Sequence, residues 1–264
     1  MDKLIQTLIS GLSLGSIYAL IALGYTMVYG IAKMLNFAHG DIIMVGAYAV
    51  ITAVFTMGLP PFIAILISIA LCALLGIVIE FLAYRPLRQA QPLAVLITAI
   101  GVSYLLQNLA LLIYGSEQKA FPTIVALPTV HIGGVYIDGI TLATLVVTAV
   151  IMVALSLFIN KTRMGKAMRA VSEDKEAAEL MGISVNRTIT VTFAIGSALA
   201  GVAAIFYGAA YTYIRPTTGA MPGIKAFTAA VFGGIGSIPG AMLGGILLGV
   251  IEQLSKTYIS TLWA

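Results

Sequence analysis

The sequence predicts an all-α, polytopic membrane protein of about eight transmembrane helices, with at least one broken or re-entrant segment. Of its 264 residues, 60% are hydrophobic and only 9% are charged, whereas a soluble domain carries about 25% charged residues. Its mean hydropathy is +1.06, and its apolar runs repeatedly reach the roughly 20 residues that cross a bilayer. We therefore treat residues 1–264 as a single transmembrane domain.

The spans are bounded by short polar or turn-forming segments. The stretch "GGIGSIPGAMLGG" breaks its apolar run with glycine and proline, so a short segment before it is expected to cross or only dip into the membrane. Residues 115–138 contain turn formers and two prolines, which indicates an external loop with strand-like or re-entrant character. The predicted spans are 4–32, 37–57, 62–84, 93–114, 139–160, 188–213, 223–236 and 239–258.

Orientation follows from the segment between Lys161 and Arg187. It contains six of the fourteen basic residues of the chain and four of the ten acidic ones. Short basic loops next to helix ends lie on the cytoplasmic side of a membrane. The loop 161–187 is therefore predicted to be cytoplasmic, and counting spans from it places both termini outside.

Within that loop the sequence predicts one short helix. Ser172 is the candidate N-cap, acidic residues follow it in the first turn, and Gly182 can end the helix. Because so short a helix is marginal in water, its apolar strip is expected to cover the end of its own bundle or to enter a groove on another protein. A solvated connection between helices is the alternative. The candidate residues are Ser172, Glu173, Asp174, Ala177, Ala178, Leu180, Met181 and Gly182.

A second candidate site opens the second span, in "NFAHGDIIMVGAYAV". An ionisable group inside a span costs a few kcal/mol, so Asn36, His39 and Asp41 need an explanation. One interpretation places them near the cytoplasmic start of the helix, where Asn36 caps it and Asp41 lies in its first turns close to headgroup water. The other makes this a broken helix whose polar groups line a translocation path or inner gate.

Gly236, Gly240 and Gly244 recur every four residues. Small residues at this spacing are typical of close helix packing, with a hinge as the alternative interpretation.

Several functions are excluded or disfavoured. The chain contains no P-loop pattern, so ATP hydrolysis is not expected of it. His39 and His131 are its only histidines, and neither is spaced to bind a metal with a neighbouring ligand. No cofactor is expected. The net charge of +4 reflects orientation in the membrane rather than binding of nucleic acid.

Three stretches, "NFAHG", "MRAVSEDKEAAELMGI" and "GGIGSIPGAMLGG", occur together and in this order. With the sequence around them they cover nearly the whole chain, which resembles the permease subunits of branched-chain amino acid ABC importers. The resemblance implies the plasma (inner) membrane of a bacterium or archaeon, two ATPase subunits, a second homologous permease subunit and an external or periplasmic amino-acid-binding protein. It also implies that Ser172–Met181 is the coupling helix that docks in a groove of the ATPase.

Other functions stay open at this point. Related permeases move urea, small amides or other amino acids. A self-sufficient secondary transporter or channel is a different class, which normally carries charged or ion-coordinating residues deep in several spans. Asp41 is the only acid here that is predicted to be buried away from a helix end, which disfavours proton coupling.

Overall fold

In the computed structural model, which describes residues 2–124, 128–132 and 135–260, the chain is a helical bundle with two small two-stranded sheets. Helices α2 and α3 each end in a π-helical turn, Thr52–Thr56 and Glu80–Tyr84. The helices are α1 Asp2–Ala32, α2 His39–Ile51, α3 Pro61–Ile79, α4 Pro92–Tyr114, α5 Gly139–Lys161, α6 Arg163–Glu173, α7 Lys175–Leu180, α8 Val185–Tyr211, α9 Ala220–Phe232 and α10 Ile238–Tyr258. The strands are β1 Lys119–Ala120, β2 Val130–Ile132, β3 Val135–Ile137 and β4 Tyr213–Ile214.

Seven helices of the described residues are long and apolar enough to cross a membrane. The segment predicted as a span at 223–236 is instead the 13-residue helix α9, which at 1.5 Å per residue is about 20 Å long and too short for a hydrocarbon core of about 30 Å. The predicted all-α membrane fold is confirmed, with seven long helices and one shorter apolar helix. Helix α9 is the short segment that was expected just before the stretch "GGIGSIPGAMLGG".

The centre of the bundle is built from α1, α2 and α8, which hold most of the buried residues. Helix α10 runs antiparallel to α1 at very short range, because a Cβ added to Gly249 would lie 2.2 Å from the backbone nitrogen of Gly15. Glycine at these positions lets the two backbones touch. Helices α3, α4 and α5 form the periphery and expose apolar side chains such as Phe62 and Leu112.

The segments at the two ends of the bundle form short strands and short helices. At the end of the bundle where α4 ends and α5 begins, β1 pairs with β4, and Phe121 packs so closely on α8 that a Cβ at position 208 would lie 2.5 Å from its ring. The strand-like character expected of 115–138 is present in β1, β2 and β3, while residues 125–127 and 133–134 of that loop lie outside the described residues. On the other side, 161–187 forms α6 and α7.

Candidate translocation site and coupling surface

Helix α2 begins inside the bundle rather than at its edge. Helix α1 ends at Ala32, and Lys33 turns the chain with φ +58°, a conformation uncommon for a residue with a side chain. The next residues lead back into the protein, where Asp41 meets Ser103 and Gln107 at the middle of α4. The start of α2 therefore lies about half way across the membrane.

Helix α9 begins at the same depth and runs the opposite way. A Cβ added to Gly219, just before α9, would lie 2.0 Å from the carbonyl oxygen of Gly40 in the first turn of α2. From this contact α2 runs toward the end of α4, since its Thr52 hydroxyl is 2.9 Å from that of Tyr114. Helix α9 runs toward the opposite end of the bundle, to Gly233, which packs on the start of α10. Two half-length α-helices of 13 residues each thus meet head to head at the level of the middle of α4.

This geometry corrects the expected position of the polar cluster. Asn36, His39 and Asp41 are 2%, 0% and 1% exposed, so they are not beside headgroup water. Asn36 does not cap α2, whose N-cap is Ala38 without a side-chain hydrogen bond. Instead, Asn36 Oδ1 accepts a hydrogen bond of 3.0 Å from the hydroxyl of Tyr84. The capping role expected of Asn36 is therefore wrong, because tertiary structure sets where α2 begins, whereas Asp41 does lie in the first turn of α2.

Asp41 is a carboxylate near the midplane without a cationic partner. No Lys, Arg or His of the described residues forms an ion pair with it. Its oxygens accept a hydrogen bond of 3.0 Å from Gln107 Nε2 and one from the Ser103 hydroxyl. It also lies in the first turn of α2, where the helix dipole favours negative charge. The Asp41 side chain therefore accepts two hydrogen bonds at a helix N-terminus, and both features favour its ionised form.

His39 occupies the opposite side of the same helix start. Within the described residues, neither ring nitrogen makes a hydrogen bond. The ring packs edge-on against Tyr25, with centroids 4.7 Å apart, and a Cβ on Gly24 would lie 2.3 Å from Nε2. No group of three His, Cys, Asp or Glu side chains arranged for a metal occurs in the part of the chain that the structure describes. His39 is thus a tightly packed ring with unused polar atoms.

The three regularly spaced glycines do not share one helix. Gly240 and Gly244 lie in α10, where an added Cβ would lie 1.8 Å from the Gly233 oxygen and 2.2 Å from that of Ala229. Gly236 precedes α10 with φ +101° and faces Gly30. Gly240 and Gly244 thus let α10 contact the end of α9, whereas Gly236 lies in a tight turn before α10.

The connection 161–187 contains two short helices where the sequence predicted one. Ser172 does not cap the second of them, because it lies inside α6 and its hydroxyl donates to the Arg169 carbonyl. The N-cap of α7 is Asp174, whose Oδ1 accepts hydrogen bonds from the amides of Glu176 and Ala177. Glu173 is the last residue of α6. Gly182 follows α7 with φ +80°, as expected of a residue that ends a helix.

Helix α7 turns only part of its apolar strip toward the bundle. Ala178 is 3% exposed, whereas Leu180 and Met181 are 89% and 82% exposed; Ala177 is also exposed. Lys175 Nζ donates a hydrogen bond of 3.2 Å to the Ala32 carbonyl in the last turn of α1. The outer side of α7 therefore exposes two large apolar side chains, while its inner side is bonded to the last turn of α1.

Sequence reasoning missed one polar cluster. Glu252 of α10 is only 6% exposed. Its Oε1 is 2.9 Å from Lys225 Nζ and 2.5 Å from Lys256 Nζ, and its Oε2 accepts from the Tyr18 hydroxyl. The i, i+4 spacing of Glu252 and Lys256 is visible in the sequence. The pairing across α9 and α10 is not.

Discontinuous helices that begin inside a bundle are characteristic of membrane transporters. A bundle with two half-length elements meeting near the midplane defines a multi-pass membrane protein of the transporter class. The chain belongs to the family described as "Branched-chain amino acid transport system / permease component", whose sequence pattern matches residues 7–264.

Individual relatives agree with this assignment. The chain is 49% identical over 260 residues to the high-affinity branched-chain amino acid transport system permease protein BraD of Pseudomonas aeruginosa, covering 94% of this chain and 85% of that protein. It is 45% identical over 276 residues to the corresponding permease protein LivH of Escherichia coli K12, covering 97% and 87%. A probable LivH of Methanocaldococcus jannaschii is 29% identical, covering 93% and 79%.

Proposed function

We propose that this chain is the membrane-spanning permease subunit of an ABC importer for branched-chain amino acids. With a second homologous subunit it forms the translocation path, an external binding protein delivers the solute, and two separate ATPase subunits supply the energy. The assembly lies in the plasma (inner) membrane of the cell. The observation that carries the proposal is the 49% identity to BraD over 94% of this chain.

The proposed coupling surface is α7 with Met181 and Gly182. Leu180 and Met181 are almost fully exposed on a helix of six residues, which is too short to persist on propensity alone. Two large apolar side chains side by side on an otherwise charged cytoplasmic loop suit a hydrophobic groove on a partner. An ATPase subunit is the partner that the family assignment requires.

The proposed gate is the junction of α2 and α9. Asn36, His39 and Asp41 hold the start of α2 in place, and Asp41 is the group among them that contacts the peripheral helix α4. An uncompensated carboxylate near the midplane is expensive to maintain, and such residues mark transport paths in membrane proteins. We assign Asn36 and His39 to fixing the junction and Asp41 to the path itself.

The proposed solute follows from the relatives. Both BraD and LivH are named for branched-chain amino acids. Urea, small amides and other amino acids remain the alternatives within the family. The experiment is uptake of labelled leucine, isoleucine and valine by cells that lack this chain and by cells in which it is restored. Restoration should return uptake of these solutes, and excess unlabelled urea should not compete.

A second arm separates an ABC importer from a self-sufficient transporter. The purified chain, reconstituted alone in vesicles, should show no ATP hydrolysis above background. It should also fail to accumulate leucine under a proton or sodium gradient. Gradient-driven accumulation by the chain alone would overturn the proposal in favour of a secondary transporter.

A further inference from the structure

A basic cavity opens on the cytoplasmic side between the end of α1, the start of α4 and the start of α7. It has a volume of about 320 Å³. Its charged lining consists of Lys33, Arg88 and Lys175, and the rest is mostly apolar, including Pro92 and Val95 of α4. None of the described residues that line it is acidic.

The charges around this cavity are not balanced. Glu80, the carboxylate that pairs with Arg88, is fully buried and also accepts a hydrogen bond from the Thr190 hydroxyl. Among the described residues, Lys175 donates a hydrogen bond only to the Ala32 carbonyl. Burial and the nearby positive charges of Arg88 and Lys33 lower the pKa of Lys175 from its ordinary value. Arg88 is paired with Glu80, so Lys33 and Lys175 are the charges of the lining that form no ion pair within the described residues. Together they favour the binding of an anion.

The position of the cavity indicates where that anion comes from. It lies where α1 ends and α4 begins, at the level where helices leave the membrane. The first turns of α4, which contribute Pro92 and Val95 to the lining, expose Leu93 and Ile97 by 62% and 61%, and the π-helical turn at the end of α3 exposes Leu82 by 68%. Apolar side chains exposed next to a basic cavity suit the acyl chains and headgroup of one and the same molecule. Basic pockets between transmembrane helices on the cytoplasmic side bind anionic lipid headgroups in this way.

We propose that Lys33, Arg88 and Lys175 form a binding site for the phosphate of an anionic phospholipid from the cytoplasmic leaflet. The acyl chains lie along the exposed apolar side chains of α3 and α4. The site connects the lipid to α7, since Lys175 belongs to that helix and also bonds to the last turn of α1. The lipid composition of the membrane would thereby affect the position of the segment between α1 and α2. This inference does not depend on the identity of the transported solute.

The test uses the purified, delipidated full chain in detergent. Phosphatidylglycerol, phosphatidylcholine and inorganic phosphate are titrated separately, and the thermal unfolding temperature is recorded. Phosphatidylglycerol should raise it by several degrees and phosphatidylcholine should not, because the cavity requires net negative charge. Inorganic phosphate should have little effect without acyl chains. A shift with phosphate as large as that with phosphatidylglycerol would overturn the assignment to lipid.

Two variants test the residues themselves. Lys33→Asn removes the charge with a residue that tolerates positive φ, and Lys175→Gln keeps a donor for the Ala32 carbonyl. Each should weaken the phosphatidylglycerol titration about five-fold, which corresponds to about 1 kcal/mol per basic residue at a membrane surface. The matched control is Lys161→Gln, since Lys161 is exposed at the end of α5 outside the cavity. Equal titrations for all three variants and the unmodified chain would overturn the site.

Discussion

The carbonyl oxygen of Gly40 lies so close to Gly219 that a Cβ on Gly219 would be 2.0 Å away from it. The contact joins the start of α2 to the residue before α9, and the two helices run from it in opposite directions. Neither residue adopts a positive φ, so glycine is needed here for space rather than for backbone conformation. The junction of the two half-length elements depends on this backbone contact.

Gly219→Ala should therefore push α2 and α9 apart. Overpacking of this kind typically costs about 1–3 kcal/mol, and a shift at the junction should reduce uptake by the assembled transporter. The measurement is thermal unfolding in detergent together with uptake per assembled complex. Gly101→Ala is the control, because nothing lies within 4 Å of a Cβ at that helical position. It should be neutral or slightly stabilising.

Asp41→Asn separates the charge of Asp41 from its shape. The amide keeps an acceptor for Gln107 or Ser103, so the amount of assembled protein should change little. If the carboxylate belongs to the path, uptake per assembled complex should fall at least ten-fold. Asp138→Asn is the matched change at an exposed position and should leave uptake unaltered. Full uptake by the Asp41→Asn variant would show that Asp41 has only a structural role.

Tyr84→Phe tests how the segment before α2 is held. The Tyr84 ring is fully buried, and its hydroxyl donates to Asn36 Oδ1 at 3.0 Å. Loss of that hydrogen bond should destabilise the protein by about 1 kcal/mol, seen as a lower unfolding temperature. Tyr104→Phe, on an exposed side chain of α4, should have no effect. The same stability for both variants would show that the Asn36 contact contributes nothing.

The long helices could be predicted from the sequence because their boundaries depend on local composition. Seven apolar runs and the polar segments between them need no knowledge of their neighbours. The short helix α9 was detectable as an interruption by glycine and proline. Its role at the midplane was not, since that depends on packing of Gly219 against Gly40, which are far apart in the chain.

The residues of the candidate sites could be predicted from the sequence, but their contacts could not. Asn36 has the chemistry of an N-cap, yet the chain re-enters the bundle after Lys33 and carries Asn36 to Tyr84 instead. Ser172 and Asp174 are both good caps. The structure selects Asp174, because Ser172 is still within α6 while Asp174 has the extended backbone, φ −149° and ψ 116°, that a cap requires. Local propensity cannot decide between two such neighbours.

The central claim is that α7 is the surface on which an ATPase subunit docks, and co-purification of the ATPase subunits with Leu180→Asp and Met181→Asp variants tests it most directly. Each substitution removes apolar contact worth about 1–2 kcal/mol and places a charge in the groove. Gln89→Asp adds the same charge at an exposed cytoplasmic position outside α7 and serves as the control. We expect both α7 variants to insert normally but to lose at least ten-fold of the bound ATPase, together with uptake, while the control retains both. Full retention of the ATPase subunits and of uptake by the α7 variants would contradict the account.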